Sequence, residues 1–173
     1  MDNKDVLKYC PRCSGPAVLE DFRKIVCGGC GFGIYLNTAV AVAALIFDGE
    51  GRLMVVRRNH EPRAGMLDLP GGFVDFGETA EEALAREVRE ELGMAVSHVE
   101  YYRSIPNTYL YGDVLYHTLD VFFKCRFDEG TDNKIRSNDE IKEIVYKYPK
   151  DLVEEEIAFE SMRGLIRGMC ESG

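Results

Sequence analysis

Gly72-Phe-Val-Asp-Phe-Gly-Glu78-Thr79-Ala-Glu-Glu82-Ala83-Leu84-Ala-Arg86-Glu87-Val88-Arg-Glu90-Glu91-Leu92-Gly93-Met94 places a glycine loop directly before a short segment of helical period. Thr79 followed by Glu82 is a capping box, which satisfies free backbone N–H groups and predicts a helix starting near Ala80. Gly93 is suited to end it, because glycine enters the left-handed region without a Cβ penalty. At about 100° per residue, Ala83, Leu84, Val88 and Leu92 form an apolar stripe, with Glu87, Glu90 and Glu91 on a neighbouring face. Glu87 and Glu91 are i,i+4 neighbours, and such like charges destabilise an isolated helix by about 0.2–0.5 kcal/mol. A hard divalent cation would offset that repulsion, and magnesium, with its preference for a few carboxylates plus water and phosphate oxygens, suits the cluster. A solvated acidic face is the alternative that the carboxylates alone leave open. Arg86 lies one turn from both Glu82 and Glu90, so its guanidinium can hold a carboxylate in place.

The segment resembles the Nudix box: Gly, five residues, Glu, seven residues, Arg-Glu, an aliphatic, any residue, Glu-Glu, any residue, Gly, an aliphatic. Gly72, Glu78, Arg86, Glu87, Val88, Glu90, Glu91, Gly93 and Met94 meet every specified position. The resemblance implies an enzyme that hydrolyses a nucleoside diphosphate linked to another moiety, with water as nucleophile and magnesium or manganese as activating ion. It implies Glu87, Glu90 and Glu91 as metal ligands, with the carbonyl of Gly71 or Gly72 as a further one, and Glu78 and Arg86 as an ion pair tying loop to helix. Family members differ in the general base, which is a box glutamate in some and a loop glutamate in others. Glu140 is the candidate for the loop position, with Glu143 as competitor. The chemistry is consistent with this assignment, since metal ions screen the anionic oxygens that repel a nucleophile from a diphosphate.

Cys10-Pro-Arg-Cys13 and Cys27-Gly-Gly-Cys30 are two CxxC pairs with thirteen residues between them. The pattern fits a Cys₄ zinc ribbon better than redox pairs, which belong at a helix start. Residues 1–37 are therefore expected to form a zinc ribbon, with zinc supplying folding energy that so small a core cannot. A closed Cys₄ site has no open position, so this zinc is structural. Cys125 and Cys170 stand apart from the set and are expected to be packing residues.

Residues 38–173 are expected to form the Nudix domain. Thr38 to Phe47 is a buried-strand signal, and Asp48-Gly-Glu-Gly51 a tight turn into Arg52–Arg57, which together predict a hairpin. Residues 67–74 are read as a short strand and the loop entering the box helix, further strands are predicted at 99–104, 115–127 and 141–148, and a helix at 159–170 with Met162, Leu165, Ile166 and Met169 on one face. The order predicts an α/β fold with a mixed sheet between helical layers, in agreement with the Nudix α/β/α sandwich.

The chain has 173 residues, 46% of them hydrophobic, and a formal net charge of −9. That balance disfavours general nucleic-acid binding, which needs basic patches. With no apolar run of membrane-spanning length and no signal-peptide pattern, no membrane partner is expected. Reduced cysteines for zinc point to the cytoplasm. A homodimer is compatible with the family.

For substrate, Arg57, Arg58 and Arg63 cluster before the glycine loop, where they either contact phosphates or flank a strand end. NADH pyrophosphatases carry Ser-Gln-Pro-Trp-Pro-Phe-Pro after the box, of which this chain keeps only Ser104 and Pro106, and it has no tryptophan. Pro106 lies near, but not on, the position of a proline in ADP-ribose enzymes. Tyr109 and Tyr111 fall where dinucleoside polyphosphate enzymes have a tyrosine. Tyr101, Tyr102, Tyr109, Tyr111 and Tyr116 are either base-stacking groups or ordinary strand residues. The expected substrate is of the ADP-ribose, FAD or NADH class. Dinucleoside polyphosphates or nucleoside triphosphates are the alternative, and a non-catalytic nucleotide sensor or docking protein is the alternative of another class.

Overall fold

The computed structural model describes residues 8–128 and 138–171; residues 1–7 of the predicted ribbon lie outside this range. Contacts group the chain into two units, residues through Ala39 with Thr108–Thr118, and Val40–Asn107 with Leu119 onward.

In the first unit, β1 (Ala17–Leu19), β2 (Lys24–Cys27) and β3 (Gly33–Tyr35) form a three-stranded antiparallel sheet in that order. Each CxxC pair makes the same turn. The N–H of Ser14 donates to the Cys10 carbonyl at 2.9 Å, and that of Gly31 to the Cys27 carbonyl at 3.0 Å. Ser14 (φ 60°) and Gly31 (φ 70°) both turn left-handed there. Cys10, Ala17, Ile25 and Cys27 make the small buried core, so two of its four members are the cysteines themselves.

The second unit holds, apart from the β8 and β9 residues within Thr108–Thr118, a four-stranded sheet, ordered β7 (Gly71–Phe73), β4 (Ala39–Ile46), β9 (Val114–Phe127), β8 (Val96–Tyr111), and a three-stranded sheet, ordered β10 (Ile141–Lys147), β5 (Leu53–Arg58), β6 (Leu67–Asp68). The strand alternation builds two cores. Val42, Ala44 and Ile46 of β4, Met54 and Val56 of β5 and Phe123 of β9 pack with Ala83, Leu84, Val88 and Leu92 of α1 (Ala80–Leu92). Leu45, Leu53, Val55 and Phe122 point the other way and pack with Met162, Leu165 and Ile166 of α2 (Glu160–Glu171). Strands buried on both faces read as continuous apolar runs, which is why Thr38–Phe47 carried so strong a signal. This is the predicted α/β architecture, with one helix over each core.

The predicted β4–β5 hairpin is corrected: the strands lie in different sheets, joined only by the Phe47–Leu53 bridge. The tight turn is real, with the Asp48 carboxylate accepting the N–H groups of Glu50 at 3.0 Å and Arg52 at 2.9 Å. Both edges of each strand are occupied by other partners, β7 and β9 for β4 and β10 and β6 for β5, so the pair diverges after its first bridge. The strand predicted at 99–104 extends over Val96–Tyr111 and includes Pro106. A proline lacks the N–H for a ladder, and β8 tolerates it because it is an edge strand. Among the described residues no helix is long and apolar enough to cross a membrane.

Candidate active site and cysteine centre

The helix α1 begins and ends as its sequence dictates. Thr79 Oγ1 accepts the Glu82 N–H, the Glu82 carboxylate accepts the Thr79 N–H, and Gly93 closes the helix at φ 68°. Its buried side carries a carboxylate as well as the apolar stripe, since Glu91 is only 8% exposed. Glu91 Oε2 accepts the Gly71 N–H at 2.9 Å, so helix and β7 are bonded through an acidic group.

The diglycine allows that approach. Gly71 pairs with Ala43 in the β4–β7 ladder at φ 148°, and a Cβ there would overlap the Val42 carbonyl. A Cβ on Gly72 would lie 2.5 Å from Glu87 Oε1. The carboxylates of Glu87 and Glu91 therefore lie against a pair of glycines, with no side chain between them and the backbone.

Arg86 organises the other edge. Its Nε and Nη2 donate to the two Glu78 oxygens at 2.7 and 3.0 Å, its Nη1 to Glu87 at 2.8 Å and Glu90 at 3.3 Å, and its Nη2 to the Phe73 carbonyl at 3.0 Å. These bonds, chiefly those from Glu78 and then Glu87, raise the Arg86 pKa far above its ordinary value. Arg86 in turn lowers that of Glu78. Burial pushes the Glu87 carboxyl up against the pull of Arg86, with Glu90 and Glu140 adding to the rise. Burial also pushes Glu91 up to about 8, opposed by the Gly71 N–H and reinforced by Glu87, Asp68 and Glu140. Crowded, half-desolvated carboxylates beside the Gly71–Gly72 backbone are oxygen donors of the kind a hard divalent cation takes.

Glu140 sits in the turn after residue 137. Asn138 donates its N–H to the Glu91 carbonyl at 3.0 Å, and its side-chain oxygen accepts the Glu140 N–H at 3.0 Å. This turn brings Glu140 into the field of Glu87 and Glu91. Glu143 faces elsewhere, with Arg57 Nε donating to it at 3.0 Å.

Of the arginines before the glycine loop, Arg57 and Arg58 are tied down. Arg57 also donates to the Gly65 carbonyl at 2.8 Å. Arg58 donates to Asp68 Oδ2 and the Pro62 carbonyl, both at 2.9 Å, and its guanidinium lies 5.2 Å from the Phe159 ring centre. Arg63 adopts φ 68° in the connecting loop. Tyr109 stacks on Tyr111 at 6.5 Å between ring centres.

Two acidic residues escaped the sequence reading. Burial raises the Asp68 carboxyl against the pull of Arg58, and Asp120 adds to the rise. Asp120 Oδ2 accepts Asn107 Nδ2 at 2.8 Å and Ser161 Oγ at 2.5 Å. The signal for Asp68 was a single carboxylate between two leucines, separated from the diglycine by Leu69 and Pro70.

The four cysteines of the ribbon bring their sulfurs within 4.8 Å of one another, with Cys10–Cys30 at 3.7 Å and Cys13–Cys27 at 3.6 Å. A tetrahedron with Zn–S bonds of about 2.3 Å has edges of about 3.8 Å, so the spacing fits zinc and is far too long for disulfides. Backbone N–H groups of Cys30 and Gly29 lower the Cys27 pKa to about 6, while Cys30, against the pull of the Phe32 N–H, is pushed up to about 12 by Cys13, burial and Cys27. Cys125 is buried and Cys170 exposed, neither in the cluster.

A model of the NUDIX domain matches residues 37–167. The chain belongs to the Nudix family. Among curated Nudix relatives, an ADP-ribose pyrophosphatase of Methanocaldococcus jannaschii is 44% identical over 61 residues, 35% of this chain and 36% of that protein. A protein named NAD-capped RNA hydrolase NudC, from Vibrio vulnificus, is 32% identical over 101 residues, 58% of this chain and 38% of the relative. The matches thus span well under half of these relatives' lengths. A Nudix hydrolase structure from Nitrosomonas europaea superposes with a TM-score of 0.69 at 23% identity, covering 95% of this chain and 91% of the other. The Nudix domain of Shewanella oneidensis NrtR, solved with ADP ribose, gives 0.59 at 18% identity, covering 79% and 88%. At these identities the structural matches establish the Nudix fold.

Proposed function

We propose that this Nudix protein is a metal-dependent pyrophosphohydrolase that cleaves the diphosphate bridge of an ADP-ribose-containing nucleotide. The observation that carries the reading is the placement of Glu87 and Glu91 against the backbone of Gly71 and Gly72, with Glu90 joined to Glu87 through Arg86. The relative named ADP-ribose pyrophosphatase supports the substrate class.

A magnesium or manganese ion would be held by Glu87, Glu90, Glu91 and a carbonyl of Gly71 or Gly72. Bound there, it would screen the anionic oxygens of the diphosphate and lower the pKa of water. The protein's own part is positioning. Arg86 grips Glu78, Glu87 and the Phe73 carbonyl together, which fixes the loop to the helix and keeps the carboxylates aimed at one point. Glu140, in the field of the box carboxylates while Glu143 is occupied by Arg57, takes the proton from the attacking water. Arg57 and Arg58 become substrate contacts by exchanging a carboxylate partner for a phosphate. Zinc held by Cys10, Cys13, Cys27 and Cys30 serves the fold of the ribbon.

The test is incubation with magnesium and a panel of ADP-ribose, NADH, FAD, diadenosine polyphosphates and nucleoside triphosphates, with chromatographic identification of products. AMP from the ADP-ribose group is expected; inorganic pyrophosphate from triphosphates would move the substrate class. Glu90→Gln should lower kcat by about 100-fold or more with the fold intact. An unchanged rate would remove Glu90 from the site, and ligand binding without any turnover would make the protein a sensor.

A further inference from the structure

We infer that Asn59 is a positioning residue for Glu140, an inference that rests on the proposed role of Glu140 as base. Asn59 follows the last residue of β5, and its N–H donates to the Glu140 carbonyl at 2.9 Å. Its side-chain Nδ2 donates to the Asp139 carbonyl at 2.7 Å. One residue thus grips two consecutive carbonyls of a turn 80 positions away in sequence.

The turn is held on its other side by Asn138, whose N–H reaches the Glu91 carbonyl and whose side chain and carbonyl accept the N–H groups of Glu140 and Ile141. Every backbone polar group of Glu140 is therefore bonded, its N–H to Asn138 and its carbonyl to Asn59. The exposed Glu140 side chain has no buried wall to orient it, so the aim of its carboxylate depends on where the backbone is pinned. Between the box helix and the end of β5, the pin on the β5 side is Asn59.

The residue type matters. A side-chain amide presents N–H to the Asp139 carbonyl, whereas an aspartate would set oxygen against oxygen. Asn59 is itself exposed, so its truncation opens no core cavity and should leave the melting temperature nearly unchanged. A residue that only stabilised the fold would shift the melting temperature without separating kcat from KM.

The experiment compares wild type, Asn59→Ala, Asn59→Asp, Glu140→Gln and the double variant Asn59→Ala/Glu140→Gln, on whichever panel substrate is turned over fastest. Hydrogen exchange of the Glu140 and Ile141 amides is followed in parallel. Asn59→Ala should lower kcat about tenfold with KM within about twofold, Asn59→Asp should lower it further, and the two amides should exchange at least about tenfold faster. Added to Glu140→Gln, Asn59→Ala should cause no additional loss, because both act through one group. Wild-type kcat in Asn59→Ala beside a slow Glu140→Gln would overturn the inference alone, as would losses that multiply in the double variant. A Glu140→Gln protein at full rate would instead remove Glu140 as base, and this inference with it.

Discussion

Gly71 and Gly72 are adjacent glycines with different duties. At Gly71 a side chain would meet the Val42 backbone, which cannot move without breaking the β4–β7 ladder. Gly71→Ala should destabilise the protein by at least about 2 kcal/mol and lower the melting temperature by about 4–8 °C. At Gly72 the obstacle is the flexible end of Glu87. Gly72→Ala should therefore melt close to wild type yet bind magnesium about 10- to 100-fold more weakly, as titration of metal-dependent turnover would show. Glu91 has its own signature. Its carboxyl is raised by burial from 4.5 to about 8 in the fold, so the folded chain keeps a proton that the unfolded chain has released. That contribution to stability is complete below about pH 4.5 and is lost as pH rises through about 8. In chelator, wild type should lose more stability between pH 5 and 8 than Glu91→Gln does, and saturating magnesium should erase the difference by favouring the ionised form. Equal pH slopes in the two proteins would contradict this account.

At the scale of elements, α1 was legible because its signals are local. The Thr79–Glu82 box, the apolar stripe and Gly93 lie within fifteen consecutive positions, and each makes the predicted bond or conformation. Thr79→Ala should cost about 1 kcal/mol, a fall of about 2–4 °C in melting temperature, with KM unchanged. A larger loss of activity than of stability would mean that the cap also sets the loop that holds Glu78. The β4–β5 connection was misread for a complementary reason. Its turn chemistry at Asp48 is local and was identified, but which strand lies at each edge depends on β7, β9, β10 and β6, drawn from across the chain.

At the scale of the molecule, the chain carries two candidate donor sets of different chemistry: thiolates in the N-terminal unit and carboxylates in the larger one. Among the described residues the ribbon buries only Cys10, Ala17, Ile25 and Cys27, so small a core that a metal on its cysteines is expected to supply folding energy. One zinc per chain is expected by elemental analysis. Strong chelation should raise amide exchange in residues 8–36 while the residues of α1 keep their protection, and unchanged exchange in the ribbon would show that it folds without metal. The sequence by itself determined the family, the ends of the box helix, the four cysteines as one set and the carboxylates as a cluster, because each depends on spacing along a few residues. Only the tertiary structure decided that Arg57 and Glu143 neutralise one another, that Asp68 sits buried beside Arg58, and that Asn59 holds the turn of Glu140. Those pairings join distant strands and loops, and no local periodicity encodes which charge will face which once two sheets and two helices close around them.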